Sequence, residues 1–194
     1  MEQLFFSLHG IKILSPDLES WLRLKLKKAR FKKGDLILKE GQVCTNIYFL
    51  ESGLIRIFQV VSENGNVKEK ISWIQNEGEI FISVYSFFNQ TPSLEYIEAL
   101  EDCVVWYITF EELEKACELY PEFDRHCSVI KSQYYSLGQE RIQAMQKPSK
   151  ERYTFFLEKQ PWLLSRASIE HVASYMGFSV STFFSVRRDI AKGR

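Results

Sequence analysis

Apolar positions recur along this chain at two different spacings, and the places where the spacing changes mark out its parts. Residues 16–29, PDLESWLRLKLKKA, predict a helix, with proline in the first turn, acids early and lysines late to suit the helix dipole. After Phe31 the pattern turns to short β-prone runs: DLILKE, NIYFLESG, LIRIFQVV, VKEKISWI, IEALED and CVVWYITF. Gly34, Gly41, Gly53, the Asn64-Gly65-Asn66 turn and Gly78 separate them. Many short strands between closely spaced turn signals indicate a sandwich or barrel. Asn64-Gly65, between LIRIFQVV and VKEKISWI, is the strongest hairpin signal in the chain. Helical spacing returns with EELEKACEL at 111–119, and Pro121 opens a longer helix reaching about Gln146. Along it Phe123, Cys127, Ile130, Tyr134, Leu137 and then Arg141 or Ile142 recur every three to four residues. Tyr135, Ile142 and Met145 fall outside that stripe, which leaves more apolar surface than one neighbour covers and predicts pairing with a second copy. Gly138 predicts a bend or a close crossing, and Pro148 with Ser149 ends the helix.

The run SIEHVASYMGFSVSTFFSVRRDI, residues 168–190, fits two short helices and a tight turn. Val172 and Met176 lie one turn apart, and small Ala173 beside them permits a close crossing. Gly177 can take the positive φ that ends a helix abruptly. Ser179 suits the N-cap of a second helix that buries Phe183, Val186 and Ile190. Such a pair is a helix-turn-helix, the arrangement that lays its second helix in a DNA groove. The predicted DNA-contacting residues are Ser179, Val180, Ser181, Thr182, Phe184, Ser185, Arg187 and Arg188. The serines near the helix start suit phosphate, and Thr182, Ser185 and Arg188 suit base edges. Phe184 either meets a thymine methyl or packs on the first helix of the motif, and packing is the expectation.

Charge supports this reading. Residues 147–194 hold nine basic side chains against four acidic ones, a net +5 in a chain of formal charge zero, so residues 1–146 carry −5. A basic end on an acidic body is what a domain that meets phosphate requires. With 194 residues and 45% hydrophobic content, the chain can form one good core plus a smaller domain. MEQLFFSLHG lacks the pattern of a secretory leader, and no run approaches the roughly eighteen apolar residues of a membrane span, so a cytoplasmic protein with no membrane partner is expected. Cys44, Cys103, Cys117 and Cys127 make no C-x-x-C pair and no cluster with His9, His126 or His171, so buried reduced thiols are expected rather than a metal site. No nucleophile, base and orienting acid can be grouped, and phosphate-cradling Gly-x-Gly or Gly-Lys-Ser loops are missing, so neither catalysis nor a resident cofactor is expected.

The runs FKKGDLILKEGQVCTNIYFLESGLIRIF, NEGEIF and TPSLEYIEALEDCVVWYITFEEL together resemble the cyclic-nucleotide-binding-like β-roll of the Crp/Fnr family of bacterial transcription regulators. Gly34, Gly41 and Gly53 fall where that family places turn glycines, and the long helix and helix-turn-helix complete its order of parts. The chain is most similar to the shorter members, without a strand-rich wing. The resemblance implies a pocket cassette, roughly G-E-L/F followed by P-R-S/T-A, in which an acid accepts from a ribose hydroxyl and an arginine neutralises the phosphate. Here the segment is GEIFISVYSFFNQTPSLEYIEA. Aligned on Gly78, Glu79 and Pro92, the second glycine and its glutamate become Ile82 and Ser83, and the arginine and its successor become Ser93 and Leu94. Losing the arginine removes a charge-assisted bond worth about 1.5–3 kcal/mol, or roughly one to two decades of affinity. Cyclic AMP is therefore not expected to bind in the family's usual way. Phe81, Tyr85, Phe87 and Phe88 either fill the core or line an apolar pocket for another ligand. The DNA-reading positions also depart from the family, with Val180, Ser181 and Ser185 where better-studied members carry charged residues.

The resulting expectation is an α+β chain in three parts. Residues 1–120 form a β-roll (double-stranded β-helix) sensor domain, 121–146 a dimerisation helix, and 147–194 a helix-turn-helix domain. Its expected partners are double-stranded DNA, a second copy of itself and a small-molecule effector of unidentified kind. The competing expectation is a ligand-sensing or protein-interaction module whose helix-turn-helix no longer binds DNA.

Overall fold

A computed structural model describes residues 1–63 and 65–193. Asn64, the first residue of the expected hairpin turn, and Arg194, the last charge of the basic segment, lie outside the described residues. Two helices, α1 (Glu2–Ile11) and α2 (Pro16–Lys25), lead into β1 (Lys27–Phe31), β2 (Leu36–Leu38), β3 (Asn46–Ser52), β4 (Leu54–Glu63), β5 (Asn66–Asn76) and β6 (Ile80–Phe81). Helix α3 (Val84–Asn89), strands β7 (Tyr96–Ala99) and β8 (Cys103–Thr109), and helix α4 (Phe110–Leu119) follow. A single 3-10 turn at Pro121–Phe123 joins α4 to α5 (Asp124–Gln146), and α6 (Ser149–Lys159), α7 (Leu163–Arg166), α8 (Ile169–Tyr175) and α9 (Val180–Ala191) complete the described chain.

These elements form two compact units. One holds Met1–Gln59 and Ile74–Ser132, and the other holds Val60–Trp73 and Gln133–Arg194.

In the first unit the strands build two four-stranded sheets, in the orders β1-β8-β3-β6 and β2-β7-β4-β5. The chain crosses from one sheet to the other at Gly53, between β3 and β4, where φ is +109. A Cβ there would lie 2.7 Å from Cys103 Sγ and 2.8 Å from the Asp102 carbonyl oxygen, so the crossing admits no side chain. Leu54 to Phe58 are buried at every position, and alternation begins only at Gln59. That continuous burial is what a strand covered on both faces requires. Leu50, Leu54, Ile55, Ile97 and Phe81 are fully buried in the core.

Two features differ from the sequence expectation. Helix α2 stops at Lys25 rather than at 29, because Lys27 to Phe31 pair antiparallel with β8 from Lys27–Tyr107 to Phe31–Cys103. Satisfying that edge of β8 outweighs the good local helix propensity of KKAR, since tertiary pairing overrides a propensity of a few tenths of a kcal/mol per residue. Helix α1 was not apparent in the sequence pattern and has no side-chain cap. Packing holds it: Leu4, Phe5 and Leu8 share a core cluster with Leu18, Leu22, Phe49 and Ile108.

In the second unit, α6 to α9 pack around Tyr153, Phe156, Leu163, Tyr175 and Phe183, all buried. The outer end of the β4–β5 hairpin belongs to this unit. No helix among the described residues is long and apolar enough to cross a membrane.

Candidate nucleic-acid interface

Ser168 starts α8, its hydroxyl accepting from the His171 amide at 3.2 Å. The helix ends at a left-handed glycine. Gly177 has φ +69, its amide donates to the Ser174 carbonyl at 3.0 Å, and the Phe178 amide donates to the Ala173 carbonyl at 2.8 Å. This pair of bonds closes the last turn of α8 and reverses the chain. A Cβ on Gly177 would come within 2.4 Å of the Met145 Cε methyl. Ser179 then caps α9, accepting from the Thr182 amide at 3.1 Å. Its hydroxyl also lies 2.9 Å from Ser181 Oγ and 2.8 Å from Thr182 Oγ1, so three hydroxyls gather at the start of α9.

Helix α9 is held by Phe183 and Val186, both buried, with the Phe183 ring 5.5 Å from that of Tyr153. Helix α8 is held by Val172, Ala173 and Tyr175, with the Tyr175 ring 4.9 Å from Phe156. These contacts leave Ser179, Val180, Ser181, Phe184, Arg187 and Arg188 exposed, and Thr182 and Ser185 half-buried. Two expectations need correction. Phe184 is not buried by the first helix of the motif; it is 51% exposed and meets Phe183 edge-on at 5.9 Å. Ile190, expected on the buried face with Phe183 and Val186, is exposed at 37%, so burial along α9 stops at Val186.

The sequence did not indicate how the turn between α8 and α9 is braced. Ser174 Oγ donates to the Glu69 carbonyl at 2.8 Å and accepts from the Ile71 amide at 3.2 Å. Arg141 Nη2 donates to the carbonyls of Ile71 at 3.0 Å and Tyr175 at 2.9 Å, and its guanidinium lies 4.5 Å over the Tyr175 ring. Burial pulls the Arg141 pKa down. Strand β5 is an edge strand, and these bonds satisfy backbone groups that an edge leaves open. The signal in the sequence was an arginine standing at an apolar-stripe position of the long helix.

The stripe of α5 itself divides. Phe123 is buried in the core cluster of the first unit, and Cys127 and Ile130 pack against that cluster, so these three are covered by their own chain and do not form a free pairing face. Tyr134 is half-buried. The exposed apolar residues are Leu137 together with Tyr135 and Ile142, which lay outside the predicted stripe. A Cβ on Gly138 would meet nothing within 4 Å.

In the cassette segment, Ser83 and Ser93 are buried with hydroxyls 3.0 Å apart. Ser83 Oγ donates to Glu95 Oε2 at 3.0 Å, and Ser93 Oγ accepts from the Glu95 amide at 3.0 Å. The hydroxyl at the start of α3 therefore faces a carboxylate and makes no cap bond to its own helix. Glu79 accepts from Gln75 Nε2 at 3.0 Å, and burial pushes its carboxyl above the ordinary range. Gly78 precedes it at a half-buried turn. Ile82 is buried, and Pro92 and Leu94 are exposed. Phe81 and Phe87 fill the core, whereas Tyr85 and Phe88 are exposed. The roll also buries Arg56, whose Nε donates to Glu98 Oε2 at 2.7 Å while the guanidinium lies 4.0 Å over Phe58. Among the described residues, no group of three or more His, Cys, Asp or Glu side chains is placed to hold a metal.

Residues 28–120 match the cyclic nucleotide-binding domain family. Comparison with curated proteins gives no match. Among solved structures, the chain is similar to FixK2 from Bradyrhizobium japonicum, at 18% identity and a TM-score of 0.72, over 87% of this chain and 86% of that one. It is also similar to CLP, the c-di-GMP responsive global regulator of Xanthomonas campestris, at 14% identity and a TM-score of 0.71, over 92% and 93%. A Crp/Fnr-family transcriptional regulator from Eubacterium rectale is 16% identical, with a TM-score of 0.69, over 93% and 85%. Residues 28–120 thus carry a cyclic nucleotide-binding domain, in a chain whose fold over most of its length is the one seen in Crp/Fnr regulators.

Proposed function

We propose that this chain is a sequence-specific DNA-binding transcription regulator of the Crp/Fnr type, working as a two-fold dimer and not responding to cyclic AMP through the usual pocket contacts. The observation that carries the reading is the outward row on α9, from the three clustered hydroxyls at its start to Arg187 and Arg188. Duplex phosphate is held by Ser179 and Ser181 with the free amides of the first turn. Thr182, Ser185 and Arg188 face base edges, and exposed Phe184 suits a thymine methyl. Tyr135, Leu137 and Ile142, with open space at Gly138, supply the face along which a second α5 packs. Two α9 helices related by that axis read inverted half-sites about 34 Å apart.

Loss of cyclic-AMP response follows from charge. A phosphate placed against Ser83 and Ser93 would meet the Glu95 carboxylate instead of a guanidinium, and the buried Arg56 is already paired with Glu98. Isothermal titration with cyclic AMP and cyclic GMP is expected to give no heat of binding, and a micromolar dissociation constant for either would overturn this part of the reading.

Selection of random duplexes by the purified full chain, with and without a metabolite extract, tests the DNA reading. An enriched inverted repeat is expected. Exposed Phe184 and Val180 also suit a protein-binding face, and failure to enrich any sequence would favour that second reading.

A further inference from the structure

Cys117 lies near the end of α4 and Cys127 in the first turn of α5, ten positions apart across the Pro121 turn. Both are free and half-buried, and their sulfur atoms are 3.6 Å apart. The other two cysteines are in different surroundings. Cys44 and Cys103 are buried, with the Cys44 thiol donating to the Asn46 carbonyl and the Cys103 thiol to the carbonyls of Leu54 and Glu101. We propose that Cys117 and Cys127 are a thiol–disulfide couple, a modification site for peroxides that ties the end of α4 to the start of α5 when oxidised.

The geometry is near what the bond requires. A disulfide holds its sulfurs about 2.05 Å apart, so the two must close by roughly 1.5 Å, a distance within reach of side-chain rotation. The pair also divides the chemistry between its members. Burial pushes the Cys127 thiol up to about 12, and the adjacent Cys117 adds to the shift. We take Cys117 as the sulfur oxidised first and Cys127, 3.6 Å away, as the thiol that resolves it. The Cys117 thiolate attacks one oxygen of hydrogen peroxide and the O–O bond breaks, giving a sulfenic acid on Cys117 and hydroxide, which takes up a proton as water. The Cys127 sulfur then attacks the sulfenic sulfur. The S–S bond forms, the S–O bond breaks, and the departing hydroxide leaves as water with the Cys127 proton. Overall two thiols and one peroxide give one disulfide and two waters. The protein loses two electrons and the peroxide gains them.

The test needs only the full chain. Reduced protein is treated with hydrogen peroxide and weighed, then unfolded, alkylated, weighed again and digested without reductant. The expected result is a monomer about 2 Da lighter before alkylation. Two of its four cysteines remain open to alkylation. A peptide pair joining Cys117 to Cys127 is expected, with dithiothreitol restoring the original mass. Four alkylated cysteines, or a Cys117 carried on to sulfinic acid without a bridge, would overturn the proposal. So would an intermolecular bridge or one that includes Cys44 or Cys103. Cys127→Ser is expected to leave Cys117 oxidised without any intramolecular bridge. If the Cys127→Ser circular dichroism spectrum differs from that of the parent, the bridge mapped in the unsubstituted chain remains decisive.

Discussion

Gly177→Ala tests whether the turn between α8 and α9 is built as described. Its backbone has φ +69, a region that costs an L-residue about 1–2 kcal/mol relative to glycine. The new methyl would also sit 2.4 Å from the Met145 Cε methyl. That contact is with the far end of a flexible side chain, so Met145 must take another rotamer at about 0.5–1.5 kcal/mol. Alanine restricts the unfolded chain, which returns about 0.4–1 kcal/mol. The ranges combine to a loss of about 0.5–3 kcal/mol centred on about 1.8, or roughly twentyfold in the folding equilibrium at the centre. With a urea slope of about 1.5–2 kcal/mol per molar, the unfolding midpoint should fall by about 1 M. Urea titration by far-ultraviolet circular dichroism and tryptophan fluorescence reads this directly, since Trp73 and Trp162 belong to the second unit. A double-mutant cycle with Met145→Ala separates the two costs, because the coupling should return about 0.5–1.5 kcal/mol if the methyl collision is real. A midpoint shift below about 0.3 M at unchanged slope would refute the turn geometry, the clash and the left-handed conformation together.

Other consequences can be measured separately. Arg188→Ala should weaken binding to the selected duplex and reduce the salt dependence by about one phosphate contact or relax one base position at a cost of about 1–3 kcal/mol; an unchanged gel shift would remove Arg188 from the interface. With uncharged Val180, Ser181 and Ser185 where better-studied members carry charged residues, affinity of the parent chain should lean on phosphate contacts and fall steeply between low and moderate salt, and a flat titration would contradict that dependence. Arg141→Ala leaves the carbonyls of Ile71 and Tyr175 without their charged donor, and should lower the stability of the second unit by about 2 kcal/mol in urea, whereas an unaltered midpoint would make the brace incidental. Glu51 responds to acid. Burial pushes its carboxyl up, but hydrogen bonds from Lys28, the Met1 amine and Trp106 outweigh that and hold it down at about 2. Its contribution is therefore full above about pH 4.5 and disappears as pH falls towards 2. The stability difference between the parent and Glu51→Gln should shrink over that window, and a difference constant from neutral pH to pH 2 would refute the pairing.

How far the fold and the interface could be read in advance depended on how local their signals are. The two short helices of residues 168–190 and the tight turn between them were legible because a cap, a left-handed glycine and a three-to-four spacing all act within one or two turns: Gly177 takes the positive φ and Ser179 the N-cap that the sequence predicts. The strands of the roll were legible because continuous and alternating burial leave different patterns in LIRIFQVV and its neighbours. Helix α1 was not legible, since its stability comes from Leu18, Phe49 and Ile108 rather than from a cap. The start of β1 has a helical pattern in the sequence, and its reason for being extended is a hydrogen-bonding partner more than seventy residues away.

By itself, the sequence determined most of the strands, the long helix and the two short helices near the C-terminal end in their order, the basic end and acidic body, and the uncharged residues Ile82, Ser83, Ser93 and Leu94, because each is a property of neighbouring side chains. Only the tertiary structure decided which face each element offers. It turned Phe123, Cys127 and Ile130 of the long-helix stripe inward and left Tyr135, Leu137 and Ile142 outside. It also grouped the outer β4–β5 hairpin with the C-terminal helices, closed Ser174 and Arg141 onto its edge, and brought two cysteines from different helices to 3.6 Å. The physical reason is that burial and edge pairing are settled by what arrives from elsewhere in the chain, and periodicity records only that a face is apolar, not what covers it.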